Sequence, residues 1–159
     1  MKKRFSHLDE SGKLKMVDVS EKAVTRRTAK ACCTVKMKTE TLKRIVEDKI
    51  PKGDVFSCAK VAGIMAAKKT HELIPLCHPL PIEHIDITFT HTMDKGELVI
   101  NAEAVVTAKT GAEMEAMMAV AQAALTVYDM CKAVDRGIVI SDLKLLEKSG
   151  GKSGSWKRG

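Results

Sequence analysis

Two short stretches of this sequence bring proton-transfer groups together. In Tyr128-Asp129-Met130-Cys131-Lys132 a carboxylate and an amine stand three residues apart, so on a helix their side chains meet and each holds the other charged. On the surface such a pair is a salt bridge of little energetic weight. Inside a pocket it is an acid and a base whose proton affinities can move either way, and the adjacent Tyr128 favours partial burial. In Leu76-Cys77-His78-Pro79-Leu80 a proline-bracketed loop fixes an imidazole whose unperturbed pKa lies near neutrality. A loop histidine bonded to a carbonyl is an equal reading of the same residues. Cys77 stands beside that base as a candidate nucleophile, but reads first as a small buried hydrophobe. Cys77 and His78 with His71 or His84 match no strong ligand spacing, so no metal site is assigned.

Anion binding is the other chemistry on offer. Arg26 and Arg27, Lys52 beside Gly53, Lys68 and Lys69, and the glycine segment from Lys148 to Lys152 all supply cations. KSGGKSG is not a P-loop, because that motif needs a strand before it and a helix after it. Two readings of it stay open, a basic lid over a phosphate and a disordered tail.

The net charge of +7 and the pI near 9.2 favour an anionic partner: nucleic acid, an anionic membrane surface or a phosphorylated small molecule. The charge is spread along the chain, and one Trp, one Tyr and three Phe show none of the interleaving that base stacking uses. The 159 residues, 45% of them hydrophobic, suit a single domain with a real core. The basic N-terminus runs into Leu8, Asp9 and Glu10 rather than an apolar stretch, so no signal peptide is expected, no span is long enough for a bilayer, and a cytoplasmic location is expected. Five cysteines without CxxC spacing suggest buried or free thiols rather than disulfides or structural zinc.

The elements that must position these groups follow from periodicity. Residues 1–28 read as an irregular arm. From Ala29 strict alternation places Ala29, Ala31, Cys33, Val35 and Met37 on one face of a strand, with Lys30, Cys32, Thr34 and Lys36 on the other. Thr39 is the expected N-cap of a first helix that Pro51 closes. Asp54 is the expected N-cap of a second helix ending at Lys68 and Lys69. Residues 73–81 hold three of the four prolines and must be extended. Ile85, Ile87 and Phe89, then a turn at Asp94-Lys95-Gly96, then Leu98 to Val106 form a hairpin, and residues 138–146 a final strand. With the second helix counted as an insertion, the order matches an α+β, ferredoxin-like split βαβ fold: a four-stranded antiparallel sheet with helices on one face. The catalytic domain would span 29–147, with a mobile, basic, Gly-rich tail at 148–159.

Between the hairpin and the last strand lies Gly111 to Arg136, one long Ala- and Met-rich helix, with Thr110 and Glu113 placed as a capping box. At 100° per residue Glu115, Gln122 and Asp129 fall within about 40° of one another. A solvated stripe is the default for such a line. Glu115 and Asp129 are separated by roughly 21 Å of helix axis, too far for one small ligand on one helix.

MVDVSEKAVTRRTA, PKGDVFSCAKVAGIMAAKKT, ELIPLCHPLP, TGAEMEAMMAVAQAALTVYDMCKAVDRG and LLEKSGGKSG closely resemble the molybdenum cofactor biosynthesis protein C (MoaC) family, the cyclic pyranopterin monophosphate synthases, from about residue 6 to 156. The resemblance implies an enzyme that takes 3',8-cyclised dihydro-GTP, opens and rebuilds its purine-derived ring as a pyranopterin, and expels diphosphate to leave a cyclic phosphate. It also implies a homo-oligomer, a hexamer built as a trimer of dimers with sites at subunit boundaries. No cofactor is implied beyond an Mg²⁺ ion that can accompany the triphosphate. By motif, Asp129 and Lys132 fall on the catalytic positions, and Leu76, Cys77 and His78 on the substrate-binding loop. Met114 and Glu115, with Glu113 beside them, match substrate contacts; Lys52, Arg27 and Lys148 match cations that hold the triphosphate or join the chemistry. Where one arginine is expected this chain has two, so either Arg26 or Arg27 faces the substrate. His71 is assigned nothing. Other classes remain as alternatives: a basic nucleic-acid-binding module, which would need aromatic residues on the open sheet face, and a non-catalytic nucleotide-binding domain.

Overall fold

The computed structural model describes residues 8–9, 11–152 and 154–159. The expectation about a leader drawn from residues 1–7 lies outside the described residues. Strands β1 (Thr25–Lys36), β2 (Ile82–Thr92), β3 (Glu97–Ala108), β4 (Val139–Ser149) and β5 (Trp156–Lys157) form one sheet in the order β2-β3-β1-β4-β5. Every neighbouring pair is antiparallel. The first four strands give the ferredoxin-like arrangement expected from the sequence. β5 adds a short rung at the β4 edge, where the tail returns and Arg158 donates from its backbone N–H to the Leu146 carbonyl at 2.8 Å.

β1 is central because its alternation puts small apolar side chains on the helix side. Ala29, Ala31, Cys33 and Val35 are fully buried there and face Ala104, Ala102, Ile100 and Leu98 of β3. Cys32, expected on the polar face, is buried as well. The register between β1 and β4 shifts beside it, and the left-handed Asp142 turns its carbonyl toward the thiol. The β2–β3 turn is a 3-10 turn, Met93–Lys95, closed by Gly96 at φ 60. A side chain at Gly96 would strike the Met37 carbonyl, so the backbone there requires glycine.

The helices are α1 (Thr39–Val46), α2 (Val55–Lys68), the single turn α3 (Thr70–Leu73) and α4 (Glu113–Cys131). α4 covers β1, β3 and β4, and α2 lies beside it over β2. The inserted helix is therefore α1, not α2 as the sequence suggested. Close approach decides this: Gly63 of α2 sits against the Ala119 carbonyl of α4 and the Ile87 side chain, leaving no room for a methyl group. Asp54 caps α2 as expected, accepting from Ser57 N at 3.0 Å. α3, absent from the sequence reading, forms because the Thr70 hydroxyl donates back to the Ala67 carbonyl at 2.9 Å and steadies one more turn.

Two helix starts differ from expectation. α1 begins after Lys38 rather than after a Thr39 cap, and its cap comes from elsewhere in the chain. The buried Asp135 accepts from Lys38 N at 2.9 Å, from Thr41 Oγ1 at 3.1 Å and from Gly137 N at 3.0 Å. Hydrogen bonds to a buried charge of this kind contribute about 1.5–3 kcal/mol each. The capping box of Thr110 and Glu113 does not form; α4 starts after Ala112 with no side-chain cap, because Glu113 is turned toward Lys148. α4 also ends at Cys131, where Val134 and Asp135 fold back onto the Cys131 carbonyl. Among the described residues no helix is long and apolar enough to cross a membrane.

Candidate active site

The start of α4, the β3–α4 loop, the proline loop and the arm meet around a cleft. One chamber, of about 460 Å³, has Leu76, Cys77, His78 and Leu80 on one wall and Met114 and Glu115 on the other, with Val17 and Val19 of the arm across it. The run expected to be extended over 73–81 is so only from Cys77: Leu73 closes α3, and Ile74 to Cys77 form a turn in which Cys77 N donates to the Ile74 carbonyl at 3.1 Å, leaving His78 half-buried just beyond it. Glu115, the first residue of the supposed solvent stripe, is only 3% exposed. Burial, with Glu113 beside it, pushes its carboxyl up to about 7. Burial first, then the charges of Glu115 and Glu113, push the Cys77 thiol up as well. The thiolate is disfavoured, so the small-hydrophobe reading of Cys77 fits better than a nucleophile.

Glu115 gives a pH-dependent prediction. The unfolded chain releases this proton near 4.5 and the folded chain near 7. Across that window the folded state holds the extra proton, so stability falls as pH rises from 4.5 to 7 and stays lowered above it. Glu115→Gln removes the penalty. Its thermal midpoint should exceed that of the parent protein at pH 8, by the equivalent of roughly 3 kcal/mol, and the gap should close toward pH 4.5. A gap independent of pH in a melting series would refute the assignment.

The adjoining chamber, about 770 Å³, shares Lys22, Thr110, Gly111 and Glu113 with the first and is strongly basic. Lys148 of β4 pairs with Glu113 at 2.7 Å. Arg27 of β1 donates from Nε to the Ala108 carbonyl at 3.0 Å and from Nη2 to the Lys109 carbonyl at 3.2 Å. Gly151, at φ 73, packs against its guanidinium so closely that a Cβ would overlap it. This settles which arginine lines the cleft: Arg27 does, whereas Arg26 is exposed elsewhere. Lys22 and Lys109 also line this chamber and were not singled out from the sequence. Each is an isolated lysine in an irregular segment, and only the overall positive charge hinted at them.

The remaining predicted residues gather at the other end of α4. Lys132 Nζ lies 2.7 Å from Asp129 Oδ1, and Lys52 Nζ donates to Asp129 Oδ2 at 2.9 Å and to the Asp129 carbonyl at 2.8 Å. Pro51 and Lys52 form the centre of a turn closed by Gly53 N donating to the Ile50 carbonyl at 2.9 Å, and from it Lys52 reaches this helix end rather than the basic chamber. The bonds from Lys132 and then Lys52 hold the Asp129 carboxyl down to about 2. The same bond raises Lys132. The ion pair therefore keeps Asp129 a carboxylate and makes Lys132 hold its proton more tightly, an arrangement that can stabilise developing negative charge. All three side chains are about half exposed. Along α4 this cluster is roughly 21 Å from Glu115, so one chain brings the predicted residues into two groups, not one.

Among the described residues no group of three or more His, Cys, Asp or Glu side chains is placed to hold a metal ion.

Residues 16–151 match the family described as MoaC family. The chain is 54% identical over 159 residues to the cyclic pyranopterin monophosphate synthase of Brevibacillus brevis, covering 100% of this chain and 99% of that protein. It is 53% identical over 154 residues to the enzyme of that name from Thermoanaerobacter pseudethanolicus, covering 97% and 98%. The protein of that name from Bacillus subtilis is 51% identical over 156 residues, covering 97% and 92%.

Proposed function

The chain belongs to the MoaC family, and from that premise we propose that it is a cyclic pyranopterin monophosphate synthase. It converts 3',8-cyclised dihydro-GTP to cyclic pyranopterin monophosphate with release of diphosphate, a phosphorus–oxygen lyase type of reaction. The observation that carries this is the two-chambered cleft. A chamber walled by apolar side chains, His78 and a carboxyl tuned to neutrality suits a purine-derived ring, and a basic chamber beside it suits phosphates. In this reading Leu76, Cys77, His78, Met114, Glu113 and Glu115 bind the ring end. Arg27 and Lys148 hold phosphate oxygens, where cations favour departure of diphosphate. Asp129 and Lys132 form the catalytic pair, with Lys52 bound to Asp129 as part of it.

The site is completed by a second copy of the chain. Glu115 and Asp129 are placed symmetrically about Gln122, so two α4 helices packed antiparallel around a two-fold axis there would bring the acid end of one copy to the cleft of the other. Apolar side chains exposed along the outer face of α2 and α4, Val61, Met65 and Leu125, support such a contact. Repetition of this dimer three times gives the proposed hexamer.

Incubation with the cyclised nucleotide should release diphosphate and form the pterin product in equal amounts. Absence of both would remove the proposal. A nucleic-acid-binding reading fares worse on the open sheet face, where Lys30 is paired with Glu147 at 2.8 Å and Lys36 with Glu97 at 3.1 Å, and among the described residues the one aromatic ring pair is Phe56 with Phe89, between α2 and β2.

A further inference from the structure

The basic chamber contains more cation than the two proposed phosphate ligands, Arg27 and Lys148, account for. Five cationic side chains, Lys22, Arg27, Lys109, Lys148 and Lys152, face two carboxylates, Glu21 and Glu113. Only Lys148 is ion-paired among the described residues, with Glu113. Arg27 is satisfied by neutral carbonyls. Lys109 also donates its ammonium to a neutral group, the Ser20 carbonyl; the Asp18 carboxylate lies near it without forming an ion pair among the described residues. An ammonium on a neutral carbonyl keeps its full charge, and several such groups around one cavity make a positive potential that only an anion relieves. Lys109 stands at the end of β3, immediately before the Thr110-Gly111 wall that both chambers share, and its bond to Ser20 holds the arm whose Val17 and Val19 close the ring chamber. Lys152 is brought in from the far side by the tail, which Gly150 and Gly151 allow to lie directly on Arg26 and Arg27.

We propose that Lys109, with Lys22 and Lys152, completes the phosphate-binding chamber, and that Lys109 positions the triphosphate while anchoring the arm over the ring. This rests on the synthase reading for the identity of the ligand, but the site itself is a polyphosphate site whatever the chemistry beside it. Lys22 lines both chambers, so it takes the phosphate nearest the ring; Lys109, beside the shared Thr110-Gly111 wall, and Lys152 take the oxygens farther out.

The test uses inorganic tripolyphosphate, which has no ring and needs no turnover. Calorimetric titration of the full-length protein at low salt should show binding that weakens steeply as salt is raised. Lys109→Met should weaken it about tenfold or more, the loss expected when a charge-assisted hydrogen bond is removed. Lys109→Arg should restore most of it, because the charge and donors return. Binding by Lys109→Met within twofold of the parent overturns the proposal. Should Lys109→Met not fold, Lys152→Met on the exposed tail decides instead: several-fold weaker binding supports the chamber, and unchanged binding overturns it. Lys109-dependent tripolyphosphate binding by a protein that releases no diphosphate from the cyclised nucleotide would retain this inference and remove the synthase reading. Turnover with Lys109-independent binding would do the reverse.

Discussion

Lys132→Ala is expected to lower turnover of the cyclised nucleotide by about a thousandfold, within the 10²–10⁴ span usual for loss of a positioned acid or base. The effect should fall on the chemical step, seen as slow diphosphate release in single turnover, while the basic chamber still binds tripolyphosphate. Two consequences of the geometry separate this from simple loss of charge. Lys132 gives the largest contribution to holding Asp129 ionised, so its removal also loosens the carboxylate that Lys52 shares. Lys132→Arg keeps the ion pair but replaces a proton donor with a guanidinium that does not give up its proton at any working pH, so it should be nearly as slow as alanine. Turnover at the parent rate by Lys132→Ala would end the assignment of the pair.

The second large effect is a recovery. Glu115→Ala and Asp129→Ala chains should each be inactive alone, and co-assembled should regain about a quarter of the parent activity if dimers form at random, since half the dimers are mixed and each mixed dimer holds one intact site. Chains carrying two different affinity tags, purified through both, give the mixed species directly. No activity in those verified mixed oligomers would show that the two ends of α4 do not meet across a boundary. The prediction depends on length more than on contacts. A straight 19-residue helix cannot bring its own ends together, so its two reactive termini serve either two sites or a shared one.

Much of this was legible in the chain itself. The alternation from Ala29 to Val35 and the hairpin around Gly96 located strands, because a half-buried strand must repeat every second residue, and the order of elements along the chain then matched the split βαβ arrangement. The motifs located the candidate residues by type. What periodicity could not see was competition between elements. The Thr110–Glu113 pattern has the spacing of a capping box, yet Glu113 is taken by Lys148, 35 residues away, and a local bond to an amide loses to a cation. The stripe of Glu115, Gln122 and Asp129 is one line on a helical wheel, but the proline loop and the arm bury its first member while its last stays exposed. Choosing α1 as the inserted helix required knowing that Gly63 lets α2 approach Ala119, a fact about two surfaces and not about either helix.

The Asp135 staple has a bearing on Lys132 that its place in the fold does not suggest. The last turn of a helix normally frays, opening and closing locally at little free-energy cost. Here the backbone N–H of Lys132 donates to the Tyr128 carbonyl at 2.8 Å, and three residues on, Asp135 is bolted to the start of α1. Opening of this helix end would expose a buried carboxylate, so it is tied to the opening of the β1–α1 junction. The ammonium and carboxylate thus sit on a platform that needs little reorganisation when substrate arrives, and the entropy of fixing them is spent during folding rather than at each turnover.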